Sequence, residues 1–310
     1  MSLKMRNLVL LPLLLTLLIS TQISAQESVK LFNSAIAKAQ SGDMPAAIAE
    51  FDKCIAADGE NADAYYWRGL AKAAIGMTNE AISDFGKATK FNPSHAEAFL
   101  RRGTLYNNVG NPQAALDNLE AAVKLLPNNM DALLNRGIAL ANLGQHERAI
   151  ADFTKVLESD KSNDMVYINR GISYRKWEKY DKALEDFGSA IRFNKLSAGG
   201  YVNRGIVYRM QEQFEYAIAD YTQAIVIEPN NSDAFYNRGI AYAKRDQHQD
   251  AIRDFSKAIT INPEDADSYM NRGIEKVIIG KKDDGCSDII KAANLGLVVA
   301  IEERNKLCGF

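Results

Sequence analysis

The chain has 310 residues, 47% of them hydrophobic and 25% charged, with 37 basic residues against 39 acidic ones. Such a composition folds rather than staying disordered, and a formal charge of −2 gives no bulk electrostatic footprint for nucleic acid. Three Cys and three His, with no zinc-ligand spacing, give metal chemistry little to build on, and length alone suggests about two ordinary domains.

The first element is an address. Lys4 and Arg6 precede an apolar run from Leu8 to Ile19, then polar Ser20, Thr21 and Gln22, then Ile23, Ser24 and Ala25. This is the layout of a secretory signal peptide over residues 1–25, with cleavage expected after Ala25. The run holds about a dozen apolar residues interrupted by Pro12, short of the ~20 a spanning helix needs. The alternative is an uncleaved N-terminal anchor, since Ile23 is larger than the usual residue two places before the cut. Removing the segment takes two basic residues and no acid, moving the charge from −2 to −4, and leaves no span behind. Export to the periplasm or beyond also places the cysteines in an oxidising compartment.

From Ser28 onward the chain repeats. Arg-Gly occurs at Arg68-Gly69, Arg102-Gly103, Arg136-Gly137, Arg170-Gly171, Arg204-Gly205, Arg238-Gly239 and Arg272-Gly273, always 34 residues apart. Eight units start at Ser28, Ala62, Ala96, Met130, Asp164, Ala198, Ser232 and Ala266. Their twentieth position is Ala from Ala47 to Ala251, then Gly285; their twenty-fourth is Phe51, Phe85, Leu119, Phe153, Phe187, Tyr221, Phe255 and Ile289. Apolar residues recur every three or four positions, which predicts two helices per unit. Gly42, Gly76, Gly110, Gly144 and Gly280 mark the turn between them, where a left-handed residue ends a helix. Glycine at the eighth position costs about 1 kcal/mol of helix propensity, so its recurrence predicts close helix approach.

This pattern resembles the tetratricopeptide repeat family: aromatic or Leu at position 4, Gly at 8, Ala at 20, an aromatic at 24 and Pro near 32, the last at Pro93, Pro127, Pro229 and Pro263. The resemblance covers residues 28–299 and departs at the ends, where Ala35 replaces the glycine and Gly285 and Cys286 replace Ala and an aliphatic residue. It implies an all-α, right-handed α-solenoid, one elongated domain of eight repeats, closed by a capping helix whose C-terminal part is residues 300–310.

The resemblance also places the first helices on a concave wall, with positions 2, 5, 6, 9, 12 and 13 facing a bound peptide. Position 6 is Asn135, Asn169, Asn203, Asn237 and Asn271, preceded by Trp67 and Arg101. Each Asn offers a donor and an acceptor to an extended backbone, a row similar to the asparagine ladder of O-linked N-acetylglucosamine transferases, although no transferase domain is present. The bland alternative is that these amides bond to helices as part of the repeat. Beside them, Tyr66 and Tyr236 at position 5 offer selectivity, and Arg175 and Arg209 at position 12 a local basic patch. The chaperone-tail carboxylate clamp of other members, with Lys and Arg at positions 2, 5 and 6, is absent because position 2 is mostly acidic. The Arg of position 7 faces a largely acidic position 23, and an inter-helix ion ladder explains it better than a ligand does.

Cys286 lies about eight residues before the turn at Leu295-Gly296 and Cys308 eleven beyond Leu297, so a folded hairpin brings them within about 5 Å of register at ~1.5 Å per residue. A disulfide clamping the capping helix is the expectation, two separate thiols the alternative; Cys54, in a column of small residues, reads as a buried thiol. No nucleophile stands in register with His95, His146 or His248. The sequence therefore reads as a non-catalytic, cofactor-free, exported scaffold that binds a protein or peptide, with self-association as the alternative and an enzyme as the remote one.

Overall fold

The computed structural model describes residues 27–309; the signal-peptide segment lies outside them. The described chain forms two compact units, 27–145 and 146–309, and every regular element among the described residues is a helix.

The first unit contains α1 (residues 27–40), α2 (Met44–Ala57), α3 (Ala62–Ala74), α4 (Thr78–Phe91), α5 (Ala96–Asn108), α6 (Pro112–Leu125) and α7 (Met130–Asn142). The second contains α8 (His146–Ser159), α9 (Asp164–Lys176), α10 (Tyr180–Phe193), α11 (Ala198–Met210), α12 (Phe214–Ile227), α13 (Ser232–Ala243), α14 (His248–Ile261), α15 (Ala266–Ile278), α16 (Lys282–Asn294) and α17 (Val298–Cys308). Within each unit, the two helices of a repeat pair and the next repeat stacks on them: α3 with α4 and α5 with α6 in the first, α9 with α10 through α15 with α16 in the second, closed by α17 on α16.

Local chemistry starts and stops these helices. First helices are capped by side chains: Asn61, Asn129, Asn163, Asn231 and Asp265 each accept the N–H three residues on. They end in a left-handed turn. At the second repeat Gly76 has φ +80°, Gly76 N–H reaches Ala73 O at 3.1 Å and Met77 N–H reaches Lys72 O at 2.9 Å, satisfying carbonyls the helix would orphan. Three repeats make the same turn without glycine: Glu178, Glu212 and Asp246 have φ of 59°, 59° and 56°, a conformation that strains any side chain.

The core lies between paired helices. Phe51, Phe187, Tyr221 and Phe255 are fully buried, each worth roughly 2–3 kcal/mol of burial, and position-8 glycines make room for the last three. A Cβ on Gly171 would stand 2.7 Å from Phe187, on Gly205 2.7 Å from Tyr221 and on Gly239 2.8 Å from Phe255. Packing thus outweighs propensity at this column. In the first repeat Ala35 sits in a core with Ala47, Phe51 and Cys54, and burial pushes the Cys54 thiol up. At the other end Cys286 and Cys308 are joined by a disulfide, Cα–Cα 5.7 Å, which ties α17 to α16.

Candidate functional site

Position 7 is architectural. Arg68, Arg170, Arg204, Arg238 and Arg272 each grip the Asp sixteen residues later with Nε and Nη2, at 2.6 to 2.9 Å. Those carboxylates, Asp84, Asp186, Asp220, Asp254 and Asp288, are buried, so the pairs are bidentate and charge-assisted. Nη1 commonly reaches sixteen residues back to the second helix of the preceding repeat: Asp52 from Arg68, Thr154 from Arg170, Thr222 from Arg238 and Ser256 from Arg272. One guanidinium therefore links two second helices. Arg102 departs from this, because Gly86 and Asn118 stand where the acceptors would be, and its Nε is buried without a partner.

The asparagine row is oriented by its own helices. Asn135, Asn203, Asn237 and Asn271 donate Nδ2 to the carbonyls of Asp131, Gly199, Asp233 and Asp267, at 2.8 to 2.9 Å, the back-bonding open to a mid-helix Asn. Asn271 Nδ2 also stands 3.5 Å from the Tyr236 hydroxyl. Asn169 has no side-chain hydrogen bond among the described residues. With their donors engaged, the bonded amides keep Oδ1 as an acceptor, so the row presents acceptors rather than donor–acceptor pairs.

In the first unit Tyr66, Trp67 and Arg101 come together. The two rings are 5.7 Å apart and His95 lies 4.5 Å from Tyr66; burial raises the Tyr66 phenol while Arg101 works against it. Trp67, 38% exposed, forms with Ile36, Ala39, Gln40, Met44, Leu70 and Ala71 an apolar pocket of about 190 Å³. In the second unit Arg175 and Arg209 end consecutive first helices. Burial lowers the Arg175 pKa and the Arg209 charge lowers it further. Tyr221, expected only as core, carries a buried hydroxyl with no well-aligned hydrogen-bond partner among the described residues; its sole sequence signal is a Tyr in a column otherwise Phe, Leu or Ile.

His95 and His248 have structural surroundings, whereas His146 Nδ1 is buried without a hydrogen-bond partner among the described residues. His95 Nδ1 accepts the Ala98 N–H at 3.3 Å as the cap of α5, and His248 Nδ1 lies 2.6 Å from Glu275. No three His, Cys, Asp or Glu among the described residues gather as a metal set, and no described helix is long and apolar enough to cross a membrane.

Three tetratricopeptide repeat profiles match the chain, over residues 32–96 and 100–164, 207–246 and 232–265, together more than half of it. A search of curated proteins returned no match. Among solved structures, a tetratricopeptide repeat protein from Parabacteroides merdae superposes with TM-score 0.65 at 22% identity, over 79% of this chain and 98% of that one. The APC/C hetero-tetramer Cut9-Hcn1 gives TM-score 0.64 at 16% identity, over 85% of this chain, which spans about half of that one (52%). Those likenesses concern the fold; together with the 34-residue register, the Gly–aromatic packing and the profile matches, they place the chain in the tetratricopeptide repeat family.

Proposed function

We propose that this protein is an exported, non-catalytic interaction scaffold that holds an extended segment of a partner protein against its first helices. The tetratricopeptide fold supports a protein-interaction role, and the observation that carries the finer reading is the row of asparagine Oδ1 acceptors spaced one per repeat. An extended peptide presents N–H groups whatever its side chains are, and acceptors fixed by a bond to their own helix meet them with little ordering cost. Within the first unit, the Trp67 pocket and the Tyr66–Arg101 pair supply side-chain selectivity of their own. Export is supported by the sequence of residues 1–25 and is chemically consistent with the Cys286–Cys308 disulfide.

The test is a triple variant, Asn169→Ala, Asn203→Ala and Asn237→Ala. Peptides selected on the wild-type chain from a random extended-peptide library should bind the variant at least about tenfold more weakly, since three lost bonds at roughly 0.5–1.5 kcal/mol each exceed the 1.4 kcal/mol of one decade. Helicity should stay unchanged, because these amides lie outside the Gly–aromatic core. Equal binding by both proteins refutes the groove reading.

A further inference from the structure

The position-7 and position-12 arginines stand five residues apart on the same helices and have opposite circumstances. On α9, Arg170 is locked to Asp186, and on α11, Arg204 to Asp220. Arg175 and Arg209 pair with no acid among the described residues. They occupy the same register position of neighbouring first helices, and α9 and α11 pack directly against each other, so two like charges are placed side by side in partial burial. The groups that favour the charged form of Arg175 are the Tyr221 and Tyr180 phenols, not a carboxylate. Glu178 and Glu212, three residues beyond each arginine, sit in the left-handed turns and pair with neither of them.

The atoms facing this cluster are unsatisfied as a group. Arg175 Nε and Arg209 Nε are shut from solvent without a partner, and so is the Tyr221 hydroxyl. Tyr221 is fully buried; the Arg209 guanidinium lies within donating reach of its oxygen, though without full hydrogen-bond geometry, and the Arg209 and Arg175 charges both favour its ionised form. A buried donor without an acceptor costs about 1–3 kcal/mol, and the same column elsewhere avoids that cost with Phe, Leu or Ile. Two guanidinium forks converge on one phenol oxygen, so donors and positive charge outnumber acceptors and no carboxylate among the described residues answers them. The complement of that set is an oxyanion.

We propose that Arg175, Arg209 and Tyr221 form a receptor for a carboxylate of the bound partner segment, a proposal that rests on the peptide-binding reading above. The guanidinium fork matches a carboxylate bidentately, and a peptide carries that group as an Asp or Glu side chain or as its C-terminus. The site lies at position 12 with a second-helix phenol behind it. That is a different column from the clamp at positions 2, 5 and 6 which the sequence lacks. The left-handed Glu178 and Glu212, which end the two helices bearing the arginines, are local strain of the kind found at binding sites.

The test uses the full chain labelled with 15N, with arginine Nε–H resonances as the readout. The probes are a blocked glycine pentapeptide with a central Glu, its Gln counterpart, an all-glycine peptide with a free C-terminus, and inorganic phosphate. The Glu peptide or the free C-terminus should shift the Arg175 and Arg209 signals saturably, distinguishing a side-chain carboxylate from a chain end, while the Gln peptide leaves them in place. Arg175→Gln and Arg209→Gln should each weaken that binding roughly 10-fold or more, as loss of a charge-assisted bond implies, and Tyr221→Phe should weaken it less. Both arginine variants should melt no lower than wild type, because each removes one member of a repelling pair. Phosphate shifting the signals with neither carboxylate peptide doing so overturns the carboxylate assignment, as does the absence of any saturable shift up to the peptides' solubility. Library peptides that depend on the asparagine row and bind the arginine variants unchanged would sink this proposal and leave the groove reading standing.

Discussion

Two glycines one helix apart test the packing argument by giving opposite responses to one substitution. A Cβ added to Gly171 on α9 would lie 2.7 Å from Phe187 Cε1 and 3.0 Å from Cδ1 and Cζ, whereas at Gly188 on α10 it would meet nothing within 4 Å. Alanine gains about 1 kcal/mol over glycine in either helix from propensity. At Gly188 that gain stands alone, so Gly188→Ala should stabilise by about 1 kcal/mol. At Gly171 the ring must retreat by close to 1 Å to regain ordinary contact at ~3.5–4.0 Å, yet Phe187 is fully buried in an interior packed like a crystal. The buried ring has nowhere to go, so the upper part of the overpacking range, roughly 2–3 kcal/mol, applies, leaving a net loss of about 1–2 kcal/mol after the propensity gain. Urea titration followed by far-ultraviolet circular dichroism should show midpoints moving in opposite directions at similar slope. Phe187→Leu in the Gly171→Ala background should recover part of the loss, since the two side chains share one space. If both alanine variants shift the midpoint the same way, the recurrent glycine does not answer to the aromatic opposite it.

The other predictions concern features outside that column. Replacing Cys286 and Cys308 by Ser opens a loop with a sequence separation of 22; loop-closure entropy puts the loss at about 3.4 kcal/mol, and hydrogen exchange should show α17 opening first. Tyr221→Phe should match or exceed wild-type stability at neutral pH, since it removes a buried hydroxyl without a partner. It should also blunt alkaline unfolding: burial raises this phenol to about 12 against about 10 in the unfolded chain. The folded state therefore holds its proton longer, and the stability present below pH ~10, on the order of 3 kcal/mol, is lost as pH rises through about 12. A wild-type-like alkaline limb in the variant counts against that burial. Glu212→Gly should raise the thermal midpoint, worth up to about 1–2 kcal/mol for a residue relieved of a left-handed backbone; no gain would mean that the turn at φ 59° carries no strain.

Much of this was legible in the sequence because the repeat reports the same physical fact many times over. The 34-residue period gives the register, the position-8 glycine opposite an aromatic gives the close approach, and the Arg and acid columns sixteen residues apart give the ion pairs now seen from Arg68 to Arg272. Five left-handed turns were readable as glycines. The turns at Glu178, Glu212 and Asp246 were not, because neighbouring packing holds residues there against their own preference. The asparagine row was visible but its orientation was not: an amide in a helix chooses between water and the carbonyl four residues back, and both rotamers are compatible with the same sequence.

What repeats in such a chain is what every repeat needs to pack, so function is sought where a column breaks. Position 23 breaks at Asn118, and the result is a single arginine, Arg102, whose Nε goes unsatisfied. Position 24 breaks at Tyr221, and here the break coincides with a second one: position 12 turns to Arg in two successive repeats. Each change alone would be a tolerable cost, a buried hydroxyl in one case and a partly buried charge in the other. Together they put two cations and a phenol in one place and supply nothing to neutralise them, although the same two helices show, at Arg170 and Arg204, that this fold readily provides an aspartate sixteen residues on. A stack that pairs its structural arginines so regularly, and leaves these two unpaired, has kept them for an acceptor that arrives with the ligand.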